Sequence, residues 1–333
     1  EIVPTVVDRV QVERRDPTTR AWTTYTVIQY GYQFSVGRSP EPCLLQLPSG
    51  RVLCFYWVEI QAGALVGRIQ LQMSYSDTSG TTWSVGATAC LPVALIYAAA
   101  GAAAANYVKI GRLRAAYKDE QILLVAALAL ANFNSVGSNI AMLRQYASSD
   151  LGSRFALVAQ SVPGTDQTYG GDRHCIVVAG RQFILSWITA FFVGGGASIG
   201  TPLAVRLGSA FDPYTSLAVI AESGTTNLSC GTWVATGGSA KQFGEGDLAV
   251  CVADDGTLYA VLRAVSLNMI CTPTRSIDAG ETWSYMGQSS LDSVRSFWHI
   301  GMSAQLFPER FTAVWHEGRV VVMHHHRDDV GAG

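Results

Sequence analysis

The sequence predicts an all-β chain, on three observations. The composition combines 49% apolar with only 14% charged residues over 333 positions, enough apolar content for a large core and too little charge for a disordered chain. A two-strand unit with a tight turn occurs five times. Strand–turn–aromatic–strand segments accompany these units.

Taken in order, the two-strand units are CLLQLPSGRVLCFYW (43–57), LRAAYKDEQILLVAAL (113–128), HCIVVAGRQFILSWI (174–188), LAVCVADDGTLYAVLR (248–263) and FTAVWHEGRVVVMHH (311–325). Their turn markers are Gly50, Asp119, Gly180, Gly256 and Gly318, spaced 69, 61, 76 and 62 residues apart. Tight hairpin turns force φ above zero, which these residue types tolerate. A strand, a polar turn, an aromatic and a further strand follow in 68–85, 140–158 and 270–286, and in worn form in 203–220. The fifth unit has almost no chain after it. The segment 10–28, VQVERRDPTTRAWTTYTVI, has the missing strand–turn–aromatic–strand order.

This period fits four-stranded blades. The expectation is a single-domain β-propeller over 1–333, with five blades and the N-terminal strands closing the last one, which removes exposed sheet edges. A sixth blade in 85–112 or 287–310 and a β-sandwich pair are the alternatives.

Other classes find little support. With a net charge of −2, the chain has no clustered basic surface for nucleic acid. The run 89–107 is alanine-dominated and broken by Pro92 and Gly101, so a packed helix or inter-strand excursion is expected rather than a membrane span. The seven cysteines form no CxxC pair, and Cys43, Cys54, Cys175 and Cys251 read as buried small hydrophobes. His324, His325 and His326 precede Asp329, but a terminal histidine run is more often incidental than metal-binding, and no metal or cofactor is expected. The glycines 194–196 lack the Lys-Ser/Thr of a phosphate loop, and 191–200 and 224–233 read as flexible loops. Asn227-Leu228-Ser229 is a formal glycosylation sequon.

The stretch SIDAGETW (276–283) has a mechanical role. Asp278 accepts backbone N–H bonds, Gly280 permits left-handed dihedrals, and Trp283 packs between sheets. Chemistry needs one site, whereas a fastener is needed in every blade. The stretch resembles the Asp box of sialidases and other BNR-repeat propellers. Ser276, Asp278, Gly280, Thr282 and Trp283 match it fully, and Ser148, Asp150, Gly152 and Phe155 match in part. Ser76, Gly80, Thr82 and Trp83 match with Thr78 at the aspartate position.

The resemblance implies a site at the rim. Arg38, in Arg38-Ser39-Pro40, stands where sialidases carry the Arg-Ile-Pro arginine that grips a carboxylate, with the middle residue changed. Aligned through Asp255-Gly256, Asp247 takes the place of the family glutamate and Arg263 that of a second arginine. The loop expected to carry the acid/base aspartate, 58–70, offers Glu59 instead, and Glu245 is a substitute for Asp247. The third arginine and the tyrosine nucleophile have only positional candidates, Arg295, Arg310 and Tyr285. Glycoside hydrolysis needs two placed carboxyl groups, or one with a tyrosine.

Tyr169, Asp172 and His174 join Arg38, Asp247 and Arg263 on the same rim if the blades repeat in register. The expected function is a non-catalytic recognition or assembly module that binds glycan or host-surface carbohydrate. Its expected setting is a secreted protein or a viral or phage virion surface, with other subunits of an assembly as further partners. A divergent exo-glycosidase, with Asp247, Glu59, Arg38 and Arg263 as catalytic residues, is the alternative, and a structural scaffold the third.

Overall fold

The computed structural model describes residues 9–30, 42–84, 89–91, 109–129, 141–161, 174–180, 182–193, 197–207, 226–227, 248–264, 270–285 and 310–325. Every element among them is a strand, and none is a helix long and apolar enough to cross a membrane. By internal contact the chain falls into two compact units. The first comprises Glu1–Asn132, Leu143–Ser161 and Asp212–Ala218; the second comprises Phe133–Met142, Val162–Phe211 and Val219–Gly333.

In the first unit, β1 (Arg9–Arg15) and β2 (Trp22–Gln29) form a two-stranded ribbon. A four-stranded meander follows: β3 (Cys43–Gln46), β4 (Val52–Glu59), β5 (Ile69–Ser76) and β6 (Ala89–Leu91). The next meander is β7 (Lys109–Lys118), β8 (Gln121–Ala129), β9 (Ala141–Ser148), whose residues belong to this unit from Leu143, and β10 (Ala156–Ser161).

The second strand of each meander explains the unbroken apolar runs in the sequence. Leu53 to Trp57 on β4 and Ile122 to Ala126 on β8 are all buried, so both faces of each strand are covered. Phe55 meets Phe155 edge-on, with centroids 5.5 Å apart. Neighbouring Tyr56 shares a 2.9 Å hydrogen bond with Ser74 and meets Tyr30 edge-on at 6.4 Å. The first strands β3 and β7 lie against each other.

The second unit repeats the plan. One meander is β11 (His174–Ala179), β12 (Gln182–Val193), β13 (Ala197–Leu207) and β14 (Thr226–Asn227). The next is β15 (Leu248–Val252), β16 (Leu258–Ala264), β17 (Ile270–Ser276) and β18 (Ser284–Tyr285). The ribbon of β19 (Arg310–His316) and β20 (Arg319–His325) follows.

Ala179, Ile184, Val250, Leu258, Ala260 and Trp283 form a core within this unit. First strands again adjoin: β11 lies against β15, and β15 against β19. The Cys175 thiol donates to the Val250 carbonyl at 3.6 Å, Tyr259 stacks on Trp315 at 5.6 Å, and Trp315 Nε1 donates to Asp254 at 3.0 Å.

All five turn markers have positive φ: Gly50 at 88°, Asp119 at 48°, Gly180 at 57°, Gly256 at 84° and Gly318 at 75°. Three expectations change, the first being that Thr226–Asn227, expected within the flexible loop 224–233, form strand β14 against β13. Residues 191–193 and 197–200 are not a loop but a continuation of the β12–β13 ladder, with Val193 opposite Ala197. The start of the alanine-rich run, 89–91, is strand β6; 92–108 lie outside the described residues. Ribbons β1–β2 and β19–β20 are separate two-stranded sheets, with no ladder joining them among the described residues.

Gly152 has φ of 88°, and a Cβ there would lie 3.1 Å from Phe55 and from Met73 Sδ; Gly50 has the same φ with nothing within 4 Å. Gly152→Ala is therefore expected to cost about 2–4 kcal/mol, from dihedral strain plus overpacking. Gly50→Ala, with strain alone, is expected to cost about 1 kcal/mol. Equal midpoint shifts in urea denaturation would contradict this account.

Candidate functional site

Each meander has two distinct ends. The turn end carries the tight hairpin turn between the first two strands. In three meanders it also carries the serine turn after the third strand. The open end carries the start of the first strand and the finish of the second.

At the turn end, the strand-terminal serines Ser76, Ser148 and Ser276 are buried. Each hydroxyl accepts the amide N–H of the glycine four residues on: Gly80 at 2.8 Å, Gly152 at 3.0 Å and Gly280 at 2.8 Å. Those glycines have φ of 88°, 88° and 90°. The serine cannot reach the glycine amide unless the chain turns left-handed there, so both residues are needed together.

The third position fastens the far side of the turn in three chemical versions. The Asp278 carboxylate accepts the Ser276 hydroxyl at 2.7 Å, the Thr282 amide at 2.9 Å and the Thr282 hydroxyl. Asp150 accepts the Ser148 hydroxyl at 2.8 Å and, from Arg154, the amide and Nε, each at 2.9 Å. Thr78, the apparent mismatch, accepts the Thr82 amide at 2.9 Å and shares a 2.7 Å bond with the Thr82 hydroxyl. A hydroxyl here does the work of the carboxylate. The unused carboxylate, Asp77, instead binds Arg51 at 2.7 and 3.0 Å, while Arg51 lies over Tyr75 at 4.4 Å.

The aromatic ending each turn is set into its unit's core. Phe155 is 3% exposed and Trp283 is 8% exposed, while Trp83 Nε1 donates to the Gly80 carbonyl at 3.0 Å. In the β1–β2 ribbon, Arg15 stands opposite Trp22 with six residues between, the spacing of Ser76 and Trp83. Asp16 caps that turn by accepting the Thr18 and Thr19 amides, and Trp22 is 65% exposed beneath the Arg15 guanidinium.

The open ends hold the described members of the expected rim. Glu59 ends β4 opposite Ile69. His174 opens β11 opposite Trp187, and Arg263 lies near the end of β16 opposite Cys271. Arg38, Tyr169, Asp172, Asp247, Glu245 and Arg295 lie outside the described residues.

Glu59 is only 3% exposed. The loop after it folds back through Ile60 N–H to the Arg68 carbonyl at 2.8 Å and Gly67 N–H to the Ile60 carbonyl at 2.9 Å. Trp57 shares the Glu59 face of β4; its Nε1 is buried without an acceptor among the described residues. Arg310 and Tyr285 stand in strands β19 and β18, and His324 and His325 pair with Phe311 and Arg310. Among the described residues no three His, Cys, Asp or Glu side chains lie close enough to hold a metal ion.

Sequence reasoning missed a groove of about 440 Å³ at the turn end of the first unit, lined by Leu47, Pro48, Ser49, Tyr117, Glu120, Ser149, Asp150 and Leu151. Its walls come from three turns far apart in the chain, and no local motif announces it.

Cys43, Cys54, Cys90 and Cys251 are buried thiols outside any disulfide, and Cys175 is half-buried. Burial pushes the thiol pKa of Cys90, and likewise that of Cys251, up to about 12. These cysteines act as small apolar side chains.

No protein-family model matches the chain, and no curated protein matches it. Among solved structures it is similar to the Penicillium chrysogenum alpha-L-arabinanase complexed with arabinobiose, with 12% identity, 85% of this chain and 73% of that one covered, and a TM-score of 0.48. A thermostable family-43 glycoside hydrolase matches at 9% identity over 87% of this chain and 84% of its own, with a TM-score of 0.47. A mutant of Trypanosoma rangeli sialidase displaying trans-sialidase activity matches at 13% identity over 95% and 47%, with a TM-score of 0.43.

Burial raises the Asp278 pKa, but the bonds from Thr282 and Ser276 outweigh it and hold the carboxyl below its ordinary value. A depressed carboxyl contributes stability above its unfolded pKa and loses it as the pH falls through the folded one. The stability gap between wild type and Asp278→Asn should therefore shrink between about pH 5 and pH 2, followed by denaturant midpoints. A gap that widens on acidification would refute the assignment. Ser276→Ala leaves the Gly280 amide without its acceptor and is expected to cost about 1–3 kcal/mol at neutral pH.

Proposed function

We propose that the chain is a non-catalytic recognition or assembly module that binds glycan at the open ends of its sheets. In this reading the sheets form one five-bladed propeller, and ribbons β1–β2 and β19–β20 make up the fifth blade. Its setting is extracellular or on a virion surface, with other subunits of an assembly as further partners.

The observation that carries the non-catalytic reading is the burial of Glu59. Glu59, the residue at the expected acid position, is 3% exposed at the end of β4. A general acid must reach the leaving-group oxygen of a substrate, which a covered carboxylate does not do without rearrangement. The sequence leading into β11 and β15 carries tyrosine, carboxylates and arginine, and histidine opens β11, side chains suited to stacking on sugar rings and bonding their hydroxyls.

The second reading, a divergent sialidase-like exo-glycosidase, is favoured by the placement of Arg263 near the open end of β16. In that case Arg38 and Arg263 hold a substrate carboxylate, and Asp247 with Glu59 supplies the carboxyl pair.

A panel of aryl glycosides, including sialosides and arabinosides, and a glycan array separate the two. The expected outcome is saturable array binding without hydrolysis. Hydrolysis abolished by Asp247→Asn and Arg38→Ala would establish the enzyme, and failure in both assays would leave a scaffold.

The ring has its own test. Phe155→Ala is expected to cost about 3–5 kcal/mol, as for a buried aromatic. If the N-terminal ribbon completes a blade, Trp22→Ala should cost about 1 kcal/mol or more; an unpartnered ribbon would lose less than about 0.5 kcal/mol.

A further inference from the structure

We propose that the turn-end groove of the first unit is a binding site for a neutral saccharide of one or two rings. The groove is distinct from the open-end rim, because hairpin turn and open end are opposite ends of the same strands. It is formed where the β3–β4 turn, the β7–β8 turn and the serine turn of Ser148 meet.

The volume, about 440 Å³, falls in the range of small-ligand sites. The lining has the division of labour that sugars require. Leu47, Pro48 and Leu151 give an apolar wall, Tyr117 an aromatic one, and Ser49, Ser149, Glu120 and Asp150 supply oxygen acceptors. Tyr117 is half-buried against the core, so its ring is held in place. Asp150 is likewise fixed by Ser148 and by Arg154, yet its side chain keeps 29% exposure. None of the lining residues is a lysine or arginine, which disfavours acidic sugars. Several acceptors beside an aromatic wall fit a ligand that offers many hydroxyl donors and an apolar ring face.

A further observation concerns Glu120. The β7–β8 turn is two residues, Asp119 with φ of 48° and Glu120 with φ of 62°. The β19–β20 turn has the same shape, with Glu317 at 48° and Gly318 at 75°. Glycine is the unstrained choice at the second place. A glutamate there sacrifices stability, and such outliers gather where a side chain has work to do. The work here is to present a carboxylate to the groove.

The test uses the full chain and titrates arabinobiose, cellobiose, maltose and lactose by calorimetry, with saturation-transfer NMR for weak binders. Wild type is expected to bind at least one of them saturably, with Kd of about 1 mM or tighter. Glu120→Gly is expected to raise Tm by ~1–4 °C through relief of the turn, while weakening binding about tenfold or more. Ser149→Ala should weaken it several-fold with little change in Tm. Glu13→Ala, at an exposed position of β1, should leave it unaltered, and Arg263→Ala tests for a sugar held at the open end instead.

Absence of saturable binding to all four sugars overturns the proposal. So does binding that survives both Glu120→Gly and Ser149→Ala. Binding lost only in Arg263→Ala assigns the sugar to the open end, which removes the groove and supports the rim. Groove binding with an empty glycan array would do the reverse.

Discussion

The structure depends on a buried serine hydroxyl that accepts one backbone amide. Ser76, Ser148 and Ser276 each close a left-handed turn onto a glycine, and the aromatic seven residues after each serine is thereby set in place. The bond is short-range, but its consequence is long-range. It aims Phe155 at Phe55 across two sheets, and it sets Gly280 so that a Cβ there would touch Ile184 on another strand. Burial makes the arrangement stringent, because removing the hydroxyl leaves an amide with no water to replace it.

The same constraint tolerates variation at its far side. A carboxylate, a carboxylate joined to arginine, and a threonine hydroxyl all secure the turn, because its backbone amide needs only an acceptor in the right place. This frees neighbouring residues. Asp77 can engage Arg51, and Asp150 can serve both its own turn and the wall of a groove. Structural and recognition roles then share one side chain, and rigidity acquired for the fold becomes preorganisation for a ligand.

Much of the architecture was legible because it is local and periodic. Five turn markers were readable from residue type, and all five adopt positive φ. The apolar stretches within CFYW and ILLVA announced strands, and the structure covers both faces of each. The strand–turn–aromatic order correctly located β5, β9 and β17. Where periodicity was absent, reading failed: 191–200 looked like a flexible loop, although 191–193 and 197–200 continue a ladder. The expected rim was readable only as residue positions, of which Glu59, His174 and Arg263 are described, and residue type and spacing do not reveal whether a carboxylate is covered.

The sequence by itself determined the strands, the tight turns, the serine fasteners and the repetition of one meander, because each depends on dihedral preferences and bonds spanning a few residues. Only the tertiary structure decided that Glu59 is covered, that Thr78 substitutes for an aspartate, that Arg51 finds Asp77, and that three distant turns enclose a groove. Those outcomes depend on which surfaces meet when separate sheets pack, and solvent exclusion between them is a property of the packed chain, absent from any single segment.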